Sequence, residues 1–381
     1  SVNNIKKIVI PGTVEEIGAN AFSNNTTLEE VTIEYGVKKV GDYAFSGCSS
    51  LKSIEFPDSV IYIGYASLLR CVLLENIKLS SKITSINYYT MAYTNISEID
   101  IPEGITSIDG YAFEGCSRLE KVKIPASLNS FNIGVFWDVK SLKNIIVDEK
   151  NKSFKFQNGL LLSKDGKIVY FGLLGLTEVS IPEGVTEIKG NSFAGSETTT
   201  ISLPNSLENI TGGEFNEMKK LKEIKIKSDN ENYKVDNGNL YTKSGEDLIR
   251  YAAGGDTIIV PEGVKTIRTS AIQNDNVKEL KLPSTLENLN DMSLNSLTGL
   301  QIVNIPENVK AFRSSALPKD SKVVVDKNNP NIKSVDDSMI LSKDGKKLYA
   351  VSKAVKDFNI PTNVETIEIQ CFYMHNNISE I

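Results

Sequence analysis

Short triplets with apolar outer residues recur along the chain, most of them closed by proline. They read IVIP (8–11), IEFP (54–57), IDIP (99–102), VKIP (122–125), VSIP (179–182), ISLP (201–204), IIVP (258–261), LKLP (280–283), VNIP (303–306) and FNIP (358–361). Ten of the twelve prolines fall in this one slot. Counting VTIE (31–34), IKLS (77–80), IIVD (145–148), IKIK (224–227) and VVVD (323–326) as degenerate members, most intervals are 22 or 23 residues, and three are 34, 34 and 35. Side chains alternate across a strand, so the outer pair of each triplet faces one way and the middle residue the other. Each triplet therefore predicts a short strand with one buried face. The opposite face reads Val9, Thr32, Glu55, Lys78, Asp100, Lys123, Ile146, Ser180, Ser202, Lys225 and onward, a mostly polar ladder. Proline, lacking an N–H, ends pairing at a fixed point.

A second signature follows each triplet: a β-branched residue or Leu, another about three residues on, then a small residue before a large apolar one. VKKVGDYAFSGCSSL (37–51) and ITSIDGYAFEGCSRL (105–119) show it clearly. The large residue is Phe22, Phe45, Leu68, Met91, Phe113, Phe136, Phe193, Phe215, Ile272, Leu294, Leu317 or Phe372; Val135 and Glu214 break the small-residue rule before it. A period of this length with one strand per unit predicts a leucine-rich-repeat solenoid. One coil cannot bury enough apolar surface to offset its own backbone entropy, so stability comes from neighbours. Stacked one strand spacing apart, about fifteen coils would span on the order of 70 Å.

The three long intervals share a phrase. VDEKNKSFKFQNGLLLSKDGK (147–167) aligns without a gap on IKSDNENYKVDNGNLYTKSGE (226–246), and with one extra residue on VDKNNPNIKSVDDSMILSKDGK (325–346). In GLLLSKDGKIVYF two apolar runs flank Asp-Gly, which predicts a β-hairpin with a primed turn, inserted as about 11 residues. An EF-hand reading of Asp165-Gly166 fails for lack of alternating acidic ligands and a closing Glu.

The pattern in IVIPGTVEEIGANAFSNNTTLEEV (8–31) and IPEGITSIDGYAFEGCSRLEKV (101–122) resembles the BspA-type leucine-rich repeats of bacterial surface proteins. The SKDGK insert is similar to an element found in many of these proteins. The expected fold is thus a β-rich solenoid, a right-handed leucine-rich-repeat superhelix of about fifteen coils of 22–23 residues, three of them enlarged to 34–35 by the hairpin. Residues 1–381 would form a single solenoid, with hairpin-bearing coils near 147–178, 226–257 and 325–357, uncapped at both ends and prone to end-to-end self-association. The resemblance implies a secreted or surface-anchored protein with an adhesive role toward host matrix or other cells. The last residues, NNISEI (376–381), fall mid-repeat, as in a piece of a longer chain.

Composition narrows the partners. A net charge of -6 and a pI near 5.2, with lysines and arginines scattered among acids, leave no basic stripe for nucleic acid. The longest apolar runs, such as YFGLLGL (170–176) and CVLL (71–74), fall short of the roughly 18 to 20 residues that span a bilayer, so no membrane insertion is expected. The opening SVNNIKK shows no charged n-region followed by an apolar h-region, as expected where a signal peptide has been removed or none existed. The four cysteines show no paired spacing, and neither zinc nor any other cofactor is expected.

Candidate chemistry is sparse. Cys48, Cys71 and Cys116 fall three residues after the large apolar residue, where Asn25, Thr94 and Ser196 stand in other coils, and read as buried inert thiols. A Cys48–Cys71 disulfide is conceivable between adjacent coils. The single histidine, His375, lies in that slot of the last coil, four residues from Cys371, so a Ser/His/Asp set has no base and no enzyme is expected. Two surfaces remain as ligand candidates. One is a tyrosine cluster, in which Tyr43, Tyr89 and Tyr111 share a slot and Tyr65 and Tyr88 share the adjacent one. The other is the strand ladder at Glu55, Lys78, Asp100 and Lys123. Asn-x-Ser/Thr sequences occur at Asn25, Asn95, Asn151, Asn209 and Asn377 and carry little weight in a bacterial chain. The leading expectation is a non-enzymatic extracellular binding or adhesion module that presents an extended surface to a host or cell-surface protein or glycan; the alternative is a passive spacer of a larger surface protein.

Overall fold

A computed structural model describes residues 5–210, 213–252, 254–319, 321–352 and 359–373. The chain is a β-solenoid with almost no helix, a single 3-10 turn at Ser314–Ala316 being the helical element among the described residues. It divides into two compact units: Ser1–Thr177 with Gly184–Thr198 and Asn209–Asn216, and Glu178–Glu183 with Thr199–Glu208 and Glu217–Ile381.

In the first unit the apolar triplets form the expected parallel ladder. Lys7–Ile10, Glu30–Ile33, Ser53–Glu55 and Asn76–Lys78 make one sheet, and Glu98–Asp100, Lys121–Ile124 and Asn144–Val147 another. The register steps by one coil, setting Ile8 beside Val31 and Val122 beside Ile145, so slot mates stack and their apolar side chains line a common interior. The large residues of the second signature stack there too. Phe45, Leu68, Met91 and Phe113 are wholly buried, and the Phe22 and Phe45 rings lie 5.3 Å apart and nearly parallel.

The coils hold one element more than the expected strand. The last two residues of each V-x-x-V or I-x-x-I stretch form a second parallel ladder, with Glu16–Ile17, Lys39–Val40 and Tyr62–Ile63 in one sheet and Ser85–Ile86, Ser107–Ile108 and Ser130–Phe131 in another. The Ala-Phe segment after it is a chain of tight turns. Alternate N–H groups bond back three residues, as from Ala21 to Gly18 and Ser23 to Asn20, while those between reach the next coil, from Phe22 to Ala44 and Asn24 to Ser46. Such turns need a residue at positive φ, and two positions per coil supply it: Asn20, Tyr43, Tyr89 and Tyr111 at one, Asn24, Gly47, Arg70 and Tyr93 at the other.

The repeated phrase folds as three antiparallel strands. In its first copy Phe154–Gln157, Leu160–Ser163 and Ile168–Gly172 form the meander, and the third strand rejoins the second ladder beside Glu187–Ile188. The two-residue turn with both residues at positive φ is Asn158-Gly159, with φ 53° and 77°. At Asp-Gly only Gly166 is in that region, because Gly166 closes a turn begun by Ser163 and so follows the central pair. The expected primed turn therefore lies one strand earlier. Asp165 acts through its side chain instead. Its carboxylate accepts from Ser163 Oγ at 2.6 Å and from the Lys167 N–H at 3.0 Å, and this holds its pKa below the usual carboxylate value.

In the second unit the phrase recurs with the same pairing at Tyr233–Asp236 and Asn239–Thr242, and at Ile332–Val335 and Met339–Ser342. The one extra residue of the third copy enlarges the hairpin loop to Asp336-Asp337-Ser338, between the paired Val335 and Met339. Each copy also carries a buried asparagine that ties it to the coil before. Asn151 Nδ2 donates to the carbonyls of Pro125 (2.7 Å) and Leu128 (2.9 Å), while its Oδ1 accepts from the N–H groups of Ser153 and Phe154. Asn230 and Asn329 repeat the arrangement. The sequon at Asn151 is thus a structural amide, closed to modification.

Candidate functional site

The polar ladder of the first unit lines a shallow trough of ≈ 1130 Å³ that runs over the strands from Val31 to Asp148. Glu55, Lys78, Asp100 and Lys123 all line it. They are joined in pairs across coils, Glu55 with Lys78 and Asp100 with Lys123, and Glu98 pairs with Lys121 at 3.0 Å in the neighbouring row. Each pairing follows from the register, which sets Glu55 beside Lys78, Asp100 beside Lys123 and Glu98 beside Lys121. Hydrogen bonds to their carboxylate partners raise the pKa of Lys78 and Lys123. All these side chains are well exposed, so the pairs contribute little to stability and stay available to a ligand.

The trough is not electrically neutral, since six carboxylates line it against three lysines. Glu75 is met from outside by Arg118 at 3.3 Å. Glu103 and Asp148 have no ion-pair partner among the described residues; each accepts a main-chain N–H, from Ala126 at 2.9 Å and Lys150 at 2.8 Å. The excess negative charge therefore collects at these two positions, which the alternating ladder alone did not single out. Among the described residues no group of three His, Cys, Asp or Glu is placed to hold a metal ion.

The tyrosines lie on the turn side and divide into two sets. Tyr43, Tyr65, Tyr89 and Tyr111 form one continuous row, with ring centroids 5.1, 5.7 and 5.2 Å apart, and the row ends on Trp137 at 6.1 Å. The repeat pattern does not announce Trp137, which follows the large apolar Phe136 at a position with no aromatic in the neighbouring coils. A hydrogen bond to Tyr43 is the main cause raising the Tyr65 phenol to about 12. Tyr88 stands apart and more exposed, its ring against Gly110 of the next coil. Tyr93 behaves similarly: its ring covers Gly115, its hydroxyl donates to Glu114 at 2.5 Å, and the Arg70 guanidinium sits 5.9 Å from its centre. The interior rings of the row have an aromatic neighbour on both sides, edge-on between Tyr43, Tyr65 and Tyr89, stacked between Tyr89 and Tyr111 and tilted between Tyr111 and Trp137, so they are engaged mainly with each other.

All four cysteines are free and buried, and Cys48 and Cys71 are not joined. The thiols donate along the stack, from Cys48 to the Phe22 carbonyl (3.2 Å), Cys71 to Phe45 (3.2 Å) and Cys116 to Met91 (3.1 Å). Burial pushes Cys48 and Cys116 up to about 11, which suppresses the reactive thiolate. His375 lies outside the described residues. No helix among the described residues is long and apolar enough to cross a membrane.

Parallel ladders one coil apart, a shared apolar interior and a polar strand face define a leucine-rich-repeat solenoid. The BspA type leucine rich repeat region (6 copies) matches residues 1–117, 49–158, 166–240, 253–339 and 321–381, and the chain belongs to that family. In structure it is similar to a leucine-rich repeat protein from Eubacterium ventriosum, with 16% identity, a TM-score of 0.57, and coverage of 77% of this chain and 82% of that one. It also aligns with a leucine rich cell surface protein from Faecalibacterium prausnitzii (20% identity, TM-score 0.43, 96% and 88% of the two chains) and with the pneumococcal vaccine antigen PcpA (19%, 0.41, 98% and 77%). No curated protein matches the chain in sequence.

Proposed function

We propose that this protein is a non-enzymatic binding module acting outside the cell, and that the trough of its first unit receives a basic, extended segment of a partner protein. The observation that carries this reading is the excess of carboxylates over lysines in a concave surface of ≈ 1130 Å³, concentrated at Glu103 and Asp148. Family membership supports the location. Strand-face ion pairs linked only by side chains can reopen toward a ligand without disturbing the buried interior. The turn-side row is the weaker candidate, because each interior ring already packs against two aromatic neighbours, edge-on, tilted or stacked. An array of lysine-rich, neutral and acidic peptides tests the proposal. Lysine-rich peptides should bind, with an affinity that falls steeply as salt rises. Equal, negligible signals from all three would instead favour the passive spacer, whose paired surface charges serve only solubility.

A further inference from the structure

The long coils lack the Ala-Phe turn. A regular coil spends eleven or twelve residues between its second-ladder pair and the next triplet, whereas Tyr170–Thr177 in the first long coil and Ile249–Asp256 in the second make the same passage in eight. A missing turn leaves a notch between the full turns on either side, and a salt bridge crosses it in both copies: Lys140 to Glu197 at 3.1 Å in the first, Lys219 to Asp275 at 2.7 Å in the second. The contents differ. In the first copy Phe171, Leu173 and Leu174 are buried there, and Phe171 packs 5.1 Å from Phe136. In the second, Arg250, Ala252 and Gly255 stand where the first has Phe171, Leu173 and Leu176, and the notch remains open, with a volume of ≈ 470 Å³.

Arg250 is almost wholly buried and reaches from one flanking coil to the other, donating to the carbonyls of Met218 (2.9 Å) and Ser270 (3.1 Å). Its Nε has no partner, and no carboxylate neutralises it among the described residues. The two acids near the notch are already matched, Asp275 by Lys219 and Asp256 by Lys278. Lys222 from one wall and Asn274 and Asn276 from the other line the space, and Gly254 opens on it with nothing within 4 Å of where a Cβ would stand.

We propose that this notch is a binding site for an acidic sugar residue. Its carboxylate would be drawn to Lys222 on the wall and to the uncompensated charge of Arg250 buried beside the lining Tyr251 and Ala252, and its hydroxyls would meet the amide of Asn276, the Asn274 amide being engaged with Gly255 and the Asn276 N–H. The volume lies in the range of small-ligand sites and suits a monosaccharide. The site is separate from the trough and stands whether or not the trough binds peptides.

Ligand-observed NMR and calorimetric titration of the full chain with glucuronic acid and N-acetylneuraminic acid, against glucose as the neutral control, test it. The acids should bind at least roughly tenfold more tightly than glucose. Gly254→Leu should abolish that binding by placing an apolar side chain in the open notch, at a position with room and ordinary φ, and Lys222→Glu should weaken it while circular dichroism stays unchanged. Equal binding of acid and neutral sugars, no binding up to about 10 mM by folded protein, or undiminished binding by folded Gly254→Leu would overturn the assignment.

Discussion

The two faces of the first unit are built from the same repeat and use it in opposite ways. On the turn side each coil contributes a ring, and the ring's neighbours consume it: Tyr65 and Tyr89 lie between other aromatics, while Tyr93 and Tyr111 cover Gly115 and Gly134 of the coils ahead. On the strand side each coil contributes charges whose pairs are exposed and leave a net negative remainder at Glu103 and Asp148. Periodicity thus produces a structural seam on one side and an unfinished electrostatic surface on the other. If the division holds, turn-side changes should alter stability without altering binding, and strand-side changes should do the reverse.

The strongest test of the division is Tyr89→Ala. It removes the centre of the aromatic row and both ring contacts, at 5.7 and 5.2 Å. Each aromatic pair is worth about 0.5–1.5 kcal/mol, so a loss of about 1–3 kcal/mol is expected in urea unfolding. Basic-peptide affinity should stay constant. A variant of native stability that no longer binds would reverse the roles of the two faces.

Next in size is the double variant Glu103→Lys with Asp148→Lys. These carboxylates lack ion-pair partners, so reversal turns the trough's net charge positive with no pair to break. Binding of a lysine-rich peptide should fall roughly tenfold or more at low salt, and the salt dependence should flatten. The melting temperature should hardly move. Lys78→Glu is a milder probe, because it breaks the pair with Glu55 while adding negative charge. It should strengthen the same peptide by a smaller factor.

How much of this was legible in the sequence depended on which partner each residue answers to. The proline-closed triplets announce their ladder because alternation is a local property, and the step of 22 or 23 residues fixes which residues stack. The slot holding Cys48, Cys71 and Cys116 was legible for the same reason. The second ladder was harder to see, since its strands are two residues long and carry no alternation to count. The turn positions were hidden because positive φ is held there by Tyr43, Tyr89 and Tyr111, where a reader looks for Gly or Asn. Adjacency in sequence slot also misplaced one ring: Tyr65 joins the row of Tyr43, and Tyr88, beside it in slot, faces Gly110 instead. The charge excess of the trough emerges only after every pair across coils has been subtracted. The buried amide of Asn151 recurs at Asn230 and Asn329 within the shared phrase, and that recurrence is itself a signal by which the sequence could have revealed it.

The finest test uses pH, and it separates the faces by the kind of group that titrates. Tyr65 is protonated more tightly in the folded chain than its ordinary value of 10.0, up to about 12, chiefly through its hydrogen bond with Tyr43. A group whose pKa rises on folding lends stability that is whole below its unfolded value and disappears as pH climbs through the folded one. The turn side should therefore weaken between pH 10.0 and about 12. Lys78 and Lys123 are also raised by their carboxylate partners and fade in the alkaline range, so a melt alone would mix the two faces. Tyrosinate absorbance does not mix them. Tyr65→Phe should remove one late-titrating phenol from the absorbance curve, with peptide binding at neutral pH untouched. An absorbance curve that Tyr65→Phe leaves unchanged apart from one ordinary phenol would show that the row is a set of neighbouring rings without a working hydrogen bond, and the seam would then rest on stacking alone.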